Sequence, residues 1–483
     1  MKVLVLVPPG KEHKNVVRDF MYGCWCKGRR IGGMQMPPLN LLYIASTLKE
    51  AGHEVGFVDA SVDPSSYKTI ENNGFPFDIV ILLSSTNSFK MDIKIIKEIK
   101  QARREIKSIL FGSHPTFMPG YCLNEDTVDI IVRGEPEFII RDLLNELKNG
   151  SDQWKKVKGI GYRENGNNCL NAAYPLIDNL DELPMPDRTF LPAGIDYFNP
   201  VIKRMPYTTM QTSRGCPAKC NFCTVPFFFG NKFRFKSVEK VMEEFRHIIS
   251  LGYREVFIRD ETFTAYKKRN IEICRRMIDE KMDLTWIANA RADMIDKETM
   301  EIMKKAGCHM IKFGVESGVQ EILDNIKKGI RVEDTRNALK WCRETGIDAH
   351  GHVMLGCPGE SKETIEQTIK FVREINPYTA SFGIHTPYPG TELFNKVAAL
   401  HPEIADGSDA DLAKLHITGF FNESFTNLRK EDLEKSVVRA YRKFYLRPGH
   451  LLKILGKTRS FDELMRLAVA GSNIFTFTVR GNN

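Results

Sequence analysis

Short apolar runs alternate with helical patterns along most of this 483-residue chain. Parallel strands need long crossover connections, usually helices, so this alternation predicts parallel sheets with helices packed on their faces. A chain of this length exceeds one ordinary domain, so we expect two or three. In the first part of the chain, strands are predicted at residues 3–7, 54–59, 79–83, 108–111 and 130–132, and helices at 39–51 and 91–106.

The alternation falls into two blocks. Residues 1–150 predict a Rossmann-like, doubly wound α/β domain. Residues 151–205 are expected to be a linker, because the Pro-rich segment at 179–188 interrupts the periodic pattern. Residues 206–400 hold six further strand–helix units, and residues 401–483 predict a small helical C-terminal domain. The strands of the second block are predicted at 207–213, 255–259, 284–290, 310–315, 349–355 and 380–384.

The composition is typical of a globular protein of the cytoplasm. Hydrophobic residues make up 42% of the chain, and we find no apolar run of 18 residues and no export signal. Eleven cysteines in such a chain are better explained as reduced thiols and metal ligands than as disulfides. The net charge of +8 permits an anionic partner, but no basic and aromatic pattern indicates nucleic acid.

Three cysteines, Cys216, Cys220 and Cys223, follow the first strand of the second block in a CxxxCxxC spacing. Most [4Fe-4S] clusters use four cysteines, so a cluster on these three would leave one iron open to bind a small molecule. The alternatives are three unrelated thiols or a structural zinc loop. Zinc usually needs a second ligand pair, and Cys24 and Cys26 form the one other close pair. We therefore favour the cluster.

This motif, with the aromatic Phe222 before its last cysteine, resembles that of the radical S-adenosylmethionine (SAM) superfamily. The resemblance implies that the open iron chelates SAM through its amino and carboxylate groups. It also implies that an electron from the cluster cleaves SAM to a 5'-deoxyadenosyl radical. The six strand–helix units agree with the partial (β/α)6 barrel of that superfamily.

Polar residues at the ends of the predicted barrel strands are candidates for SAM binding, because chemistry in such barrels lies at the C-terminal strand ends. The resemblance implies that Asp260 and Glu261 bind the SAM amino group. Arg291 could pair with the SAM carboxylate in a two-point contact. Glu316 and Ser317 could reach the ribose hydroxyls. The alternative for each charged residue alone is a surface ion pair.

The first domain also has polar and small residues at its strand ends, where doubly wound sheets bind ligands. Taken singly, these loops are ordinary turns. Together they resemble the cobalamin-binding domain of cobalamin-dependent radical SAM enzymes, with Ser113 replacing a glycine and Pro136 within the last turn. The D-x-H-x-x-G signature is absent, so no histidine of that motif is expected to bind cobalt. The implied cobalamin contacts are Ser84, Ser85, Thr86, Asn87, Gly112, Ser113, His114, Thr116, Gly134 and Glu135.

The leading hypothesis for function is a cobalamin-dependent radical SAM methyltransferase. The resemblance implies that one SAM methylates the cobalamin, while another supplies the radical that abstracts hydrogen from an unactivated carbon. The carbon radical then takes the methyl group from methylcobalamin. One alternative is an enzyme of the same architecture that catalyses cyclisation, ring rearrangement or carbon–carbon bond formation. Another is a non-catalytic iron–sulfur or nucleotide-binding module.

The substrate is expected to be a small molecule, a lipid or a peptide, and the electron donor a flavodoxin or ferredoxin. Residues 436–460 contain seven Lys or Arg and no Asp or Glu, mixed with apolar residues. This pattern allows peripheral contact with a membrane. We favour the alternative, a solvated basic face on a helix that packs against the barrel.

Overall fold

The computed structural model describes residues 1–9, 18, 31–405 and 421–480, and of Arg480 only the main chain. The Cys24 and Cys26 pair lies outside these residues. So does Gly10, the last residue of a turn that the sequence predicts after the first strand, at residues 8–10. All other residues named in the sequence analysis are described.

The first sheet has seven strands among the described residues, in the order β2-β1-β3-β4-β5-β6-β7. Its first five strands are parallel, and they confirm the five strands predicted there. The order reverses between β1 and β3, the position at which such sheets open a ligand crevice. The strands are β1 (Lys2–Val7), β2 (Glu54–Asp59), β3 (Ile79–Leu83), β4 (Lys107–Phe111), β5 (Ile130–Val132), β6 (Ile160–Glu164) and β7 (Asn167–Leu170).

Helices cover both faces of this sheet, which confirms the doubly wound fold. One apolar layer packs β-strand residues against α1 and α6, and the other packs them against α2, α3 and α5. The helices are α1 (Leu39–Glu50), α2 (Pro64–Asn72), α3 (Phe89–Ala102), α4 (Ser113–Phe117), α5 (Pro119–Leu123) and α6 (Pro136–Lys148).

The sheet continues past residue 150, into the range expected to be linker. Strands β6 and β7 form an antiparallel hairpin, and β6 pairs with β5. Asn165 and Gly166 both have positive φ at the hairpin turn, 51° and 80°. An Asn-Gly pair between two extended segments is a strong hairpin signal, because a type I′ turn needs positive φ at both positions.

The second sheet has six parallel strands in sequence order, β8-β11-β12-β13-β14-β15. Its outer strands β8 and β15 do not pair with each other within the described part of the chain, so the sheet forms the expected partial barrel. A short ladder of β9 (Ser213–Arg214) and β10 (Arg234–Phe235) precedes the barrel helices. The barrel strands are β8 (Tyr207–Met210), β11 (Glu255–Ile258), β12 (Thr285–Ala290), β13 (Cys308–Glu316), β14 (Asp348–Leu355) and β15 (Thr379–Ile384).

Helices pack outside the barrel strands around one large apolar core. The helices of this part are α7 (Val225–Phe228), α8 (Val238–Ser250), α9 (Lys267–Asp279), α10 (Lys297–Lys305), α11 (Gln320–Asn325), α12 (Val332–Thr345), α13 (Lys362–Ile375) and α14 (Glu392–Leu400).

Ionic contacts close the amino-terminal end of the barrel. The Asp348 carboxylate at the start of β14 lies 3.0 Å from Lys203 Nζ and also pairs with Lys457. The Glu255 carboxylate at the start of β11 lies 2.7 Å from His309 Nε2 and accepts a hydrogen bond from the Lys203 amide. The residues before β8 are therefore fixed against the barrel, opposite the end at which chemistry is expected.

Three helices end the described chain, α15 (Lys430–Tyr445), α16 (Pro448–Lys457) and α17 (Phe461–Arg480). Helix α15 covers the free edge of β15. The Tyr445 hydroxyl accepts from the Ala380 amide at 2.9 Å and donates to its carbonyl, and the Tyr441 hydroxyl accepts from the Phe382 amide. An edge strand whose polar groups are occupied does not pair with other chains. Of the helices described, none is both long and apolar enough to cross a bilayer.

Candidate cofactor sites

The loop with the three cysteines follows β9 and is held between two helices. The Asn221 side chain donates to the Asn325 carbonyl at the end of α11, 2.8 Å away, and the Leu393 amide of α14 donates to the Asn221 carbonyl. The Phe222 ring packs on the apolar cluster around α11 and lies 5.5 Å from the His385 ring. The loop is therefore anchored at the C-terminal end of the barrel.

The environment of the thiols fits an anionic cluster. Cys216 Sγ lies 3.4 Å from Thr262 Oγ1, and Cys220 Sγ lies 3.8 Å from Arg291 Nη1. Burial raises the pKa of Cys220, while the cations Lys328 and Arg291 oppose that shift. Within the described ranges no three His, Cys, Asp or Glu converge on one metal ion. A cubane cluster does not need such convergence, because each cysteine binds a different iron.

The two carboxylates after β11 differ in what they contact. Asp260 is fully buried and accepts from the Thr212 amide and hydroxyl and the Ser213 hydroxyl at 2.5–2.6 Å. Glu261 is half-buried and accepts from the Gly215 amide at 3.1 Å. Burial and the nearby Asp260 charge raise the pKa of Glu261 to about 8. Asp260 therefore positions the segment before the cysteines, whereas Glu261 lies beside the start of the loop that carries the three cysteines.

Arg291 at the end of β12 already has a carboxylate partner. Its Nε and Nη2 donate to the two oxygens of Asp293 at 3.0 and 3.1 Å, and Nη2 also donates to the Lys328 carbonyl. Nη1 remains directed at Cys220. The predicted pairing with the SAM carboxylate is thus restricted to the side of the guanidinium that faces the cluster loop.

Glu316 and Ser317 at the end of β13 separate into two environments. The Glu316 carboxylate pairs with Lys328 Nζ at 2.8 Å, with both side chains buried, and its backbone has a positive φ of 57°. A Cβ at Gly314 would lie 2.2 Å from Glu316 Oε1, so glycine makes room for this pair. The Ser317 hydroxyl instead bonds Thr368 on α13 at 3.0 Å. Only Glu316 lies with the cations near the cysteines.

Three buried acceptors near the loop were missed in the sequence analysis. Asn221 Oδ1, Glu360 Oε1 and His385 Nε2 have no hydrogen-bond partner among the residues described here. Burial lowers the pKa of His385 to about 3, so its ring is neutral. Buried polar atoms are rarely left unpaired, so these three suit a ligand with donor groups, as SAM has in its amino and adenine groups. His385 follows a predicted strand directly, and the strand-end rule could have found it.

In the first domain, the loops after β4 and β5 are tied together. Gly112 has φ 126°, and a Cβ there would lie 2.3 Å from the Ser84 carbonyl oxygen at the end of β3. The Thr116 hydroxyl donates to the Gly112 carbonyl at 2.6 Å and accepts from the Gly134 amide at 3.0 Å. The three predicted loops therefore form one continuous edge of the sheet.

The serines after β3 are largely engaged inside the protein. Ser84 and Ser88 donate to Asp92 on α3 at 2.8 and 2.7 Å, and Ser85 lies 3.2 Å from Ser88. Asn87 differs from them, because both polar atoms of its amide are buried without a partner in the described part of the chain. An orphaned amide at the strand-end edge fits a polar ligand such as cobalamin.

Thr86 and His114 join two of the loops. His114 Nδ1 lies 3.1 Å from Thr86 Oγ1, and its ring packs 4.8 Å from the Phe89 ring. Ser113, which replaces the family's glycine, is buried at the start of α4. The structure thus brings these predicted residues together at the same edge.

Glu135 is the exception among the predicted cobalamin contacts. One of its carboxylate oxygens accepts from Arg214 and Arg234 at 3.1 and 2.9 Å. The other accepts from Arg234 and the Ile177 amide at 2.8 and 2.7 Å. Two buried arginines and a backbone amide therefore occupy both oxygens at the boundary with the barrel, so the carboxylate is not left for a cofactor.

The two strand-end edges face each other. Cys216 and Cys223 pack against the apolar layer of the first sheet, together with Phe228 of α7. A Cβ at Gly390, after β15, would lie 2.4 Å from the Phe117 ring of α4. The proposed cluster loop and the end of β15 are consequently in direct contact with the first domain.

Comparisons with known proteins agree with this arrangement. The radical SAM superfamily model matches residues 210–372, and the B12 binding domain model matches residues 32–144. An uncharacterised methyltransferase of Pyrococcus horikoshii is 31% identical over 481 residues, 98% of each chain. The anaerobic magnesium-protoporphyrin IX monomethyl ester cyclase of Rubrivivax gelatinosus is 29% identical, covering 77% of this chain and 68% of that protein.

Among solved structures, the radical SAM methyltransferase TsrM of Kitasatospora setae, with cobalamin and a [4Fe-4S] cluster bound, superposes with a TM-score of 0.74. It covers 98% of both chains at 17% identity, and this likeness concerns the fold. The two family domains fit an iron–sulfur cluster, SAM and cobalamin, in agreement with the donors found at the two edges. The chain is a member of the radical SAM enzymes that carry a cobalamin-binding domain.

Proposed function

We propose that this enzyme is a C-methyltransferase that places a methyl group from SAM on an unactivated carbon of a small molecule. The supporting observation is the meeting of the two strand-end edges, with Cys216 and Cys223 packed against the core of the cobalamin-type domain. When bound, the cluster supplies the electron that cleaves SAM, and cobalamin supplies a carrier for the methyl group.

In this proposal the barrel residues bind and orient SAM. Cys216, Cys220 and Cys223 hold three irons. Arg291 and Lys328 place positive charge beside Cys220, where an anionic cluster and a SAM carboxylate would be stabilised. The buried polar atoms of Asn221, Glu360 and His385 described above would hydrogen-bond to the polar groups of SAM.

The first domain provides the cobalamin edge. Asn87 offers an unpaired amide, and Thr86 and His114 line the neighbouring loops. Gly112 and Gly134 leave backbone without side chains at the strand ends, where a large planar ligand needs close approach. We propose a domain that extends through β7, then a linker to about residue 205, the barrel, and the C-terminal helices.

A second candidate is ring formation on a tetrapyrrole-like substrate by the same radical chemistry. The cyclase activity for which the Rubrivivax relative is named favours it, whereas the methyltransferase name of the Pyrococcus relative favours methyl transfer. Sequence identity is similar for the two. We place methyl transfer first because the Pyrococcus relative matches the full length of the chain, including the C-terminal helices.

The experiment uses SAM with a trideuterated methyl group. Reconstituted protein, a chemical reductant or reduced flavodoxin, and a small-molecule extract are incubated without oxygen. Methyl transfer predicts a product heavier by a deuterated methyl, formed together with S-adenosylhomocysteine and 5'-deoxyadenosine. A radical-dependent product that carries no deuterium from the methyl group would favour the ring-forming candidate instead.

A further inference from the structure

Four buried charged side chains cross the boundary between the two domains. Glu135 and Glu137 lie at the start of α6, while Arg214 on β9 and Arg234 on β10 face each other in the short ladder. Each is at most 3% exposed. We call these four residues the interdomain ion network.

The network contains several charge-assisted hydrogen bonds. Arg214 donates to both oxygens of Glu137, at 2.5 and 3.2 Å, and to Glu135 at 3.1 Å. Arg234 donates to both oxygens of Glu135, at 2.8 and 2.9 Å. Two positive and two negative charges balance within the network. Paired guanidinium and carboxylate groups of this kind fix distance and orientation, because their bonds are directional.

Along the chain, residues of the network are close neighbours of both proposed cofactor edges. On the barrel side only Gly215 separates Arg214 from Cys216. That glycine is itself confined, with φ 89° and a would-be Cβ 2.8 Å from the Lys232 carbonyl oxygen. On the other side, Glu135 directly follows Gly134, which lies in the loop after β5 and donates its amide to Thr116. A shift of the network would therefore move the two edges relative to each other.

A buried ion network contributes little net stability compared with well-packed apolar residues of the same volume. A network that adds little net stability can still fix the distance and orientation of the two domains. We propose that the interdomain ion network is a positioning device that sets the separation between the cluster and the cobalamin. This inference rests on the proposed function, because it requires both cofactors on one chain.

The test measures that separation directly. Full-length protein is loaded with a [4Fe-4S] cluster and cobalamin, reduced so that both are paramagnetic, and studied by dipolar electron paramagnetic resonance. Glu137→Gln keeps the size of the side chain but removes one charge. Arg214→Lys keeps the charge but cannot bridge two carboxylates. We expect both variants to retain iron and cobalt while the distance distribution broadens or shifts.

Glu255→Gln is the matched control. Glu255 is equally buried and carries the same charge, but it lies at the amino-terminal end of the barrel. The distance distribution of this variant should equal that of the wild type. The inference is overturned if loaded Glu137→Gln or Arg214→Lys keeps the wild-type distribution, or if Glu255→Gln changes it equally.

The inference is also overturned if both variants fail to fold, because the network would then be an ordinary stabilising element. Wild-type protein that binds no cobalamin would instead refute the proposed function, and the two failures are therefore distinguishable.

Discussion

Cys220 is the most buried of the three cysteines proposed to hold the cluster. The residue is 8% exposed, and its thiol lies beside Arg291 and near Lys328, whereas Cys216 and Cys223 pack against the first domain. The other described cysteines of the barrel, such as Cys274, are buried in apolar surroundings. Burial raises the pKa of Cys274 to about 12, which keeps it protonated and inert.

Replacement of Cys220 tests the cluster assignment. Cys220→Ala removes one thiolate ligand, so we expect loss of the visible charge-transfer absorption of the cluster and of SAM cleavage. Iron and sulfide analysis with absorption spectra is the measurement. Cys274→Ala serves as the control and should keep the cluster. A Cys220→Ala protein with full iron content and active SAM cleavage would show that the ligand is another residue.

Replacement of Arg291 tests the proposed SAM site. Removing its buried charge should weaken SAM binding by about 2–5 kcal/mol. That is roughly thirty-fold or more, at about 1.4 kcal/mol per tenfold. Isothermal titration of Arg291→Ala should show this loss with an unchanged cluster spectrum. Arg276→Ala, which removes a surface ion pair on α9, should bind SAM as the wild type does. Unchanged affinity in Arg291→Ala would show that this arginine serves only its contacts within the protein, to Asp293 and the Lys328 carbonyl.

At the residue scale, the sequence showed which strand ends carry polar side chains but not their contacts. The spacing of the three cysteines sufficed to place them on one loop. Asp260, Ser317 and Glu135 were equally plausible contacts, yet each is taken up by protein groups. Their partners are distant in the sequence, so no local sequence pattern could have shown that these side chains are already engaged within the protein.

At the scale of elements, the sheet edges are shaped by glycines at strand ends. Gly112 is the clearest case, because its φ of 126° and its contact with the Ser84 carbonyl leave no room for a side chain. The strand and helix alternation predicted both sheets. It missed the hairpin of β6 and β7, because β7 is short, mostly exposed and without apolar periodicity, and the Asn165-Gly166 turn was the available signal.

Gly112→Ala should destabilise the first domain by about 2–4 kcal/mol, from backbone strain and overpacking. The loop after β4 would move away from β3, so cobalamin retention should fall as well. Denaturant unfolding and cobalt analysis measure the two effects. Gly120→Ala on α5 is the control, because no atom lies within 4 Å of its would-be Cβ. Equal stability of the two variants would contradict this description of the edge.

At the scale of the whole molecule, the residues before β8 and helix α16 converge on Asp348 at the closed end of the barrel. Burial alone would raise the pKa of Asp348, but Lys203 and Lys457 outweigh it and hold that pKa below its usual range. A carboxyl group with a lowered pKa in the folded state stabilises the fold above its unfolded pKa. That contribution is lost as pH falls through the folded pKa.

Asp348→Asn should therefore lower the free energy of unfolding at neutral pH, by about 1–3 kcal/mol because both lysines are partly exposed. The difference from the wild type should shrink below about pH 4, the pKa of an unfolded aspartate. Denaturant midpoints at several pH values measure it. Asp126→Asn is the control, since that side chain is fully exposed. A difference independent of pH would assign the effect to packing instead.

In the proposed enzyme, one chain holds a SAM-cleaving cluster and a cobalamin at edges that face each other. The direct measurement is metal analysis of full-length protein that has been reconstituted with iron, sulfide and hydroxocobalamin and then desalted, followed by reduction with SAM. We expect about four irons and one cobalt per chain, and 5'-deoxyadenosine from the same sample. Desalted protein that carries no cobalt, or that holds both metals and leaves SAM uncleaved, would contradict it.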